Sequence, residues 1–299
     1  MNASPASPTS LLAAPAGRSR VARVAHALAL LALAATPALA HQYWLAPTAY
    51  APAPHKPVEI AAFAGTGFRG EAKPWSPGRC VRFVALTSRS LDLSRAAAPG
   101  DTVWSRFAPA DDGGALLAFE SNFTPIELAA DPFDAYLADE GLAGPLAARK
   151  RSATHVPGRE RYRRCAKAWL AGRELGRATT PVGMPLEIVP LELPGANPAL
   201  HVRVLWNGKP LASALVKTWR APLAAGGATT SAGVRDSLAM AWQARTDARG
   251  ELAVPCVAPG EWLVSTVTME PSHAPAEADW ESTWASLTFA RPAGAGAKR

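Results

Sequence analysis

The chain has 299 residues, with 31 Lys and Arg against 24 Asp and Glu. Three of the basic residues and none of the acidic ones fall in the first 40 positions, leaving 28 against 24, a balance of +4 that does not mark a dedicated nucleic-acid binder. A hydrophobic content of 48% suffices for a core, and 28 Pro with 23 Gly imply frequent turns and hence a β-rich chain.

Arg18, Arg20 and Arg23 precede the apolar run ALALLALAAT (27–36); Pro37 ends it, and Ala38-Leu39-Ala40 fits an A-x-A cleavage site. The run is shorter than the ~20 apolar residues a membrane span needs. Residues 1–40 therefore read as a secretory signal. The expected product is periplasmic, begins at His41 and has no membrane span.

Residues 41–180 are expected to form a first β-rich domain. PVEIAAFAG (57–65), CVRFVALTS (80–88) and ALLAFES (115–121) are short, β-leaning and separated by Gly, Pro and Asp clusters. Helical punctuation then appears near 131–141: Asp131 fits an N-cap, Pro132 the first turn and Gly141 the C′ stop. Phe133, Tyr136 and Leu137 would share its buried face. A second helix is expected near 159–171, with Tyr162, Cys165, Ala166, Trp169 and Leu170 on one stripe. The basic run from Arg149 to Lys167 reads as a solvated face, with peripheral contact to anionic headgroups or an acidic partner as its functional alternative.

The segment 181–198 is Pro-rich and reads as a linker. Residues 199–292 read as a C-terminal β-sandwich, with 293–299 a disordered tail. ALHVRVLW (199–206) alternates, Leu200, Val202, Val204 and Trp206 lying on one face and His201 and Arg203 on the other. Asn207-Gly208 is the strongest short hairpin signal in the chain. Five further strand-like runs follow, so the fold class expected is mainly β: two β-sandwich-like domains, the first carrying short helical insertions.

Cys80, Cys165 and Cys256 would meet an oxidising compartment, which permits one disulfide. Cys80 with Cys165 is the pairing expected, because Cys256 lies in the second domain. There is no GxSxG elbow, P-loop, HExxH or CxxC, so no enzyme activity is expected. The histidines carry what metal chemistry there is. An N-terminal His41 would offer an α-amine and an imidazole to one ion, and such nitrogen donors suit Ni, Co, Cu or Zn. Further ligands must come from the fold, and His273, in EPSHAPAEADWE with Met269, Glu270 and Glu277 nearby, is the available partner. His201, opposite the apolar face of its strand, reads as a surface or intersheet residue, and His55 and His155, in Pro-containing loops, have no partner at a useful spacing. Most of the tryptophans of the last third read as packing residues.

HQYWLAP, FTPIELAADPFDAYLADEGL, RERYRRCAKAWL, PVGMPLEIVPL, VLWNGKPLASALVK, ARTDARGELAVPCVAPGEWLVSTVTM and ADWESTWASLTF, in that order, resemble the DUF4198 family. It comprises exported bacterial proteins, some described as periplasmic components of nickel and cobalt uptake systems. The resemblance implies a second domain like the prealbumin or carboxypeptidase-regulatory sandwich. It also implies a metal role for His41, with Ni(II) or Co(II) as the ion and Cu(II) or Zn(II) as alternatives. An inner-membrane metal transporter subunit is the implied partner. One departure is visible: where the family pattern places a histidine before the methionine following PG-x-W-L-V, this chain has Thr268 before Met269. Either the site is altered here or His273 substitutes. The competing function is a non-catalytic envelope module that recognises a protein or a glycan.

Overall fold

The computed structural model describes residues 1, 42–152, 155–192, 198–223 and 239–292. Its strands form three sheets. The widest runs in the order β14 (Trp242–Arg245), β13 (Leu215–Ala221), β16 (Gly260–Pro271), β17 (Trp280–Arg291), β9 (Gly158–Leu170), β7 (Ala115–Ser121), β4 (Cys80–Leu86) and β5 (Ser90–Asp92), with β8 (Thr124–Leu128) also paired to β9. A second sheet joins β1 (Gln42–Pro47), β2 (Val58–Thr66), β3 (Arg69–Ala72) and β6 (Ser105–Phe107). The third joins β10 (Leu186–Glu192), β11 (Ala199–Trp206), β12 (Lys209–Pro210) and β15 (Glu251–Pro255). The protein is mainly β, as its composition implies.

The wide sheet is buried on both faces. Leu116, Ala118, Cys165, Trp169, Ala285 and Leu287 pack with Ile188, Leu200 and Val202 of the third sheet. The alternate residues Leu117, Phe119, Ala166 and Ala168 pack with Leu45, Ile60 and Ala62 of the second. Successive strand side chains point to opposite faces, so this parity makes the wide sheet the middle of three layers.

That arrangement corrects the expected division. The described residues between 42 and 292 belong to one compact unit, and the wide sheet takes β4, β5, β7, β8 and β9 from the first half and β13, β14, β16 and β17 from the second. The halves meet where β17 pairs β9 in parallel, Trp280 opposite Glu160 through Thr288 opposite Ala168. The segment 181–198 is not simply a linker either, because Leu186–Glu192 forms β10 and pairs with β11. Pro190 is tolerated at the edge of its sheet, beside a register shift.

The expected helix near 159–171 is the strand β9. The stripe that suggested a helix arises because a strand buried on both sides is apolar at consecutive positions, so CAKAWL shows no alternation to read. The other helix is present but starts earlier than expected: Ala129 is its N-cap, with no side-chain cap bond, and Asp131 lies in its first turn. α1 (Ala130–Asp139) buries Phe133, Tyr136 and Leu137. Gly141 stands at φ 65°, Leu142 N–H reaches Leu137 O and Gly141 N–H reaches Ala138 O, which is the Schellman stop that the glycine implied. α2 (Ala143–Arg151) follows, and together they cover Val267, Met269 and Trp284. Asn207 and Gly208 both take positive φ between β11 and β12, the I′ geometry expected of that pair.

All three cysteines are free, which corrects the expected pairing. Cys80 lies opposite Ser121 and Cys165 opposite Glu120, so β7 runs between them. Two strand spacings, ~9.6 Å, exceed the ~7 Å within which Cα atoms can be bridged. Alkylating the unfolded, unreduced protein should therefore add three labels by mass. A single label would mean a disulfide.

Candidate metal centre

β16 and β17 pair antiparallel over their whole length, and the register sets Glu270 directly opposite Glu281. Arg161 of β9 stands opposite Glu281 in turn, so Glu270, Glu281 and Arg161 form a row across three strands on one face. Like charges directly opposite one another are unfavourable in a sheet; Arg161 and the loop after β16 supply the compensation. Ser272 N–H bonds to Asp279 O and closes that loop, bringing His273 over the row.

His273 Nδ1 lies 3.3 Å from Glu281 Oε2 and 3.9 Å from Glu270 Oε1. One donor atom from each of these three residues lies within 4.8 Å of the others. Glu281 Oε1 is already occupied, accepting from His273 N–H at 2.5 Å, Ser272 Oγ at 3.1 Å, and Arg161 Nε and Nη2 at 2.9 and 2.6 Å. Oε2 faces the histidine. Burial pushes the Glu281 carboxyl up, but the His273 N–H, Arg161 and Ser272 outweigh burial and hold it below the usual glutamate range. It stays ionised and able to bind a cation.

An ion with ~2.1 Å bonds in tetrahedral geometry sets its donors ~3.4 Å apart. The 3.3 Å pair matches that spacing, the 3.9 Å pair is wider by about 0.5 Å, and all three donors lie within 4.8 Å of one another. That ring is 72% exposed, so the remaining coordination positions face solvent. One imidazole and two carboxylates form a borderline-to-hard donor set that accepts first-row divalent ions.

Of the two ligands expected from sequence, His273 falls in this cluster and His41 lies outside the described residues. β1, which starts at Gln42, packs on the wide sheet's opposite face: Thr288 Oγ donates to Leu45 O, and Thr288 alternates with Leu287 and Phe289, which point to the third sheet. Glu270 was noted in the sequence only as a neighbour of His273. Glu281 was missed, because the ten residues between it and Glu270 hide a pairing that only the β16–β17 register creates.

The other histidines stand apart. His155 Nε2 is 3.4 Å from Asp131, both exposed. His55 sits in a turn at φ 60°. His201 borders a shallow groove of about 210 Å3 beside Asp247 and Glu251, but those acids are engaged: Asp247 accepts from Arg249 and Glu251 N–H, and Glu251 pairs with Arg203 and Arg249.

On the opposite face Glu160, 2% exposed, accepts from Ser282 Oγ, and from Tyr136 OH at 3.4 Å. Burial pushes its carboxyl up against the pull of Ser282 and Arg164. Arg164 lies over the rings of Tyr162 and Trp284. This is a closed polar core under α1. The basic run is mostly committed to internal partners: Arg149 to Asp134, Arg159 to Asp279, Arg161 to Glu277 and Glu281, and Lys167 to Glu187. Lys150 and Arg151 remain exposed at the end of α2. Among the tryptophans, Trp219, Trp262 and Trp284 are buried as packing residues.

Among the described residues no helix is long and apolar enough to cross a membrane. No curated protein matches the chain. A solved structure, the D0-D1 domain of Intimin, aligns over 82% of this chain and 96% of its own at 10% identity, with a TM-score of 0.19, too low to support an argument. The model of a domain of unknown function, DUF4198, matches residues 38–270, and the chain belongs to that family.

Proposed function

We propose that the protein is an exported metal-handling protein that captures a divalent transition metal, nickel or cobalt foremost, and presents it to an inner-membrane transporter. Periplasmic location rests on the signal-like first 40 residues. The observation that carries the metal reading is the convergence of Glu270, His273 and Glu281, one imidazole and two carboxylates within 4.8 Å. His41 adds a second donor group if export cuts the chain after Ala40.

The test is native mass spectrometry of protein exported through its own signal, with Co(II), Ni(II), Cu(II) and Zn(II) added in turn. A retained ion is expected, and His273→Ala should weaken it at least ~10-fold, on the scale at which even outer-shell metal contacts act. An extra residue ahead of His41 should remove whatever ion the terminal amine holds. A chain beginning at His41 that retains no ion overturns the reading and leaves a binding module of the envelope.

A further inference from the structure

We infer that Arg161 is a built-in competitor for the cation at Glu270, His273 and Glu281, and that it keeps this site weak and exchangeable. The inference rests on the metal reading above and adds to it how the site releases its ion. Arg161 places two nitrogens on one oxygen of Glu281, at 2.9 and 2.6 Å. Its third nitrogen lies 3.3 Å from Glu277, and the Phe123 ring supports the guanidinium 4.5 Å away. The group is 18% exposed and held on three sides.

Two consequences follow for a bound ion. Glu281 can offer only Oε2, because the Oε1 lone pairs are committed to Arg161, Ser272 and the His273 N–H. The carboxylate is therefore a single-oxygen ligand, and a guanidinium shares its charge. A fixed positive charge on the same carboxylate also repels a dication, and since the two are close and partly shielded from solvent, salt screens this only in part. With no ion bound, Arg161 is what allows Glu270 and Glu281 to face each other across the strands. Arginine and metal thus satisfy the same negative charge. A carrier that must hand its ion on needs a site whose vacancy is already stabilised, and Arg161 provides that.

The experiment is calorimetric titration of Co(II) into the exported full chain and two variants. Arg161→Gln should bind at least ~10-fold more tightly, from the loss of a close like charge, and Co(II) should raise its melting temperature more than it raises the wild type's. Glu277→Gln, at a 68% exposed position where folding is not at risk, leaves the full guanidinium charge on Glu281. It should weaken Co(II) by about threefold, and should do nothing when Arg161 is already glutamine. Should Arg161→Gln fail to fold, Glu277→Gln decides alone, and an unchanged affinity overturns the inference. Binding that depends on His273 yet is equal or weaker in Arg161→Gln also overturns it and leaves the metal reading standing. No Co(II) binding in any of the three proteins overturns the inference, and if Ni(II), Cu(II) and Zn(II) are not retained either, the metal reading falls with it.

Discussion

Replacing Glu187 by alanine is expected to lower the unfolding free energy by about 3–5 kcal/mol, the range for breaking a buried ion pair. Lys167 of β9 donates to Glu187 of β10 at 2.9 Å, and the two side chains are 0% and 1% exposed. The pair sits between the wide sheet and the third sheet, inside the largest apolar cluster. Glu187 also accepts the Val182, Gly183 and Met184 N–H groups at 2.7, 3.0 and 3.4 Å. Alanine would strand a buried ammonium and remove the acceptor that pins the chain leading into β10. Glu187→Gln, which keeps an acceptor oxygen for those N–H groups, should cost less. Replacing both partners with apolar residues should recover most of the Lys167 term but not the backbone one, since three donors would still lack their acceptor. Urea unfolding followed by tryptophan fluorescence measures all three variants, and a loss under 1 kcal/mol for the alanine variant would show that the pair does not clamp the layers.

The second large effect is a stability that falls as pH rises toward neutrality. Glu140, at the end of α1, is buried and its carboxyl is pushed up to about 7; desolvation causes this, and Lys217 opposes it only in part. Lys217 Nζ lies 3.1 Å from Glu140 but 2.7 Å from Asp139, so its charge is divided between two acids. A raised carboxyl binds its proton more tightly in the folded state. Its contribution is therefore fully present below the unfolded value of ~4.3, is lost progressively toward pH 7, and amounts to about 3 kcal/mol over that window. Glu281 and Asp279, held below their usual ranges, act with the opposite sign at more acid pH. The comparison that isolates Glu140 is wild type against Glu140→Gln between pH 4.5 and 8. The wild type should lose about 3 kcal/mol relative to the variant across that range. Parallel curves would mean that Glu140 titrates as an ordinary surface acid.

Several features were legible from residues alone because their causes are local. The α1 helix rests on its i, i+3, i+4 apolar spacing and on Gly141, which tolerates the left-handed conformation its stop demands. The Asn207-Gly208 turn and the alternation of ALHVRVLW are equally local, as each needs only a few consecutive residues. His273 was singled out by chemistry, and the structure sets it beside two carboxylates.

What failed was decided at long range. β9 resembled a helix because its surroundings, not its own pattern, bury both of its faces. The basic residues of that segment resembled a surface run, yet their acidic partners lie 15 to 120 positions away. The expected pair of domains dissolved because β17 and β9 join in parallel, an association of segments about 120 residues apart with no turn to announce it. Composition, the signal-like start, the local turns and the mainly β class were thus determined by sequence alone, since backbone preference and solvent transfer act residue by residue. The middle-layer sheet, the Lys167–Glu187 clamp and the row of Glu270, Glu281 and Arg161 were decided only by tertiary structure, because strand register alone brings those charges face to face.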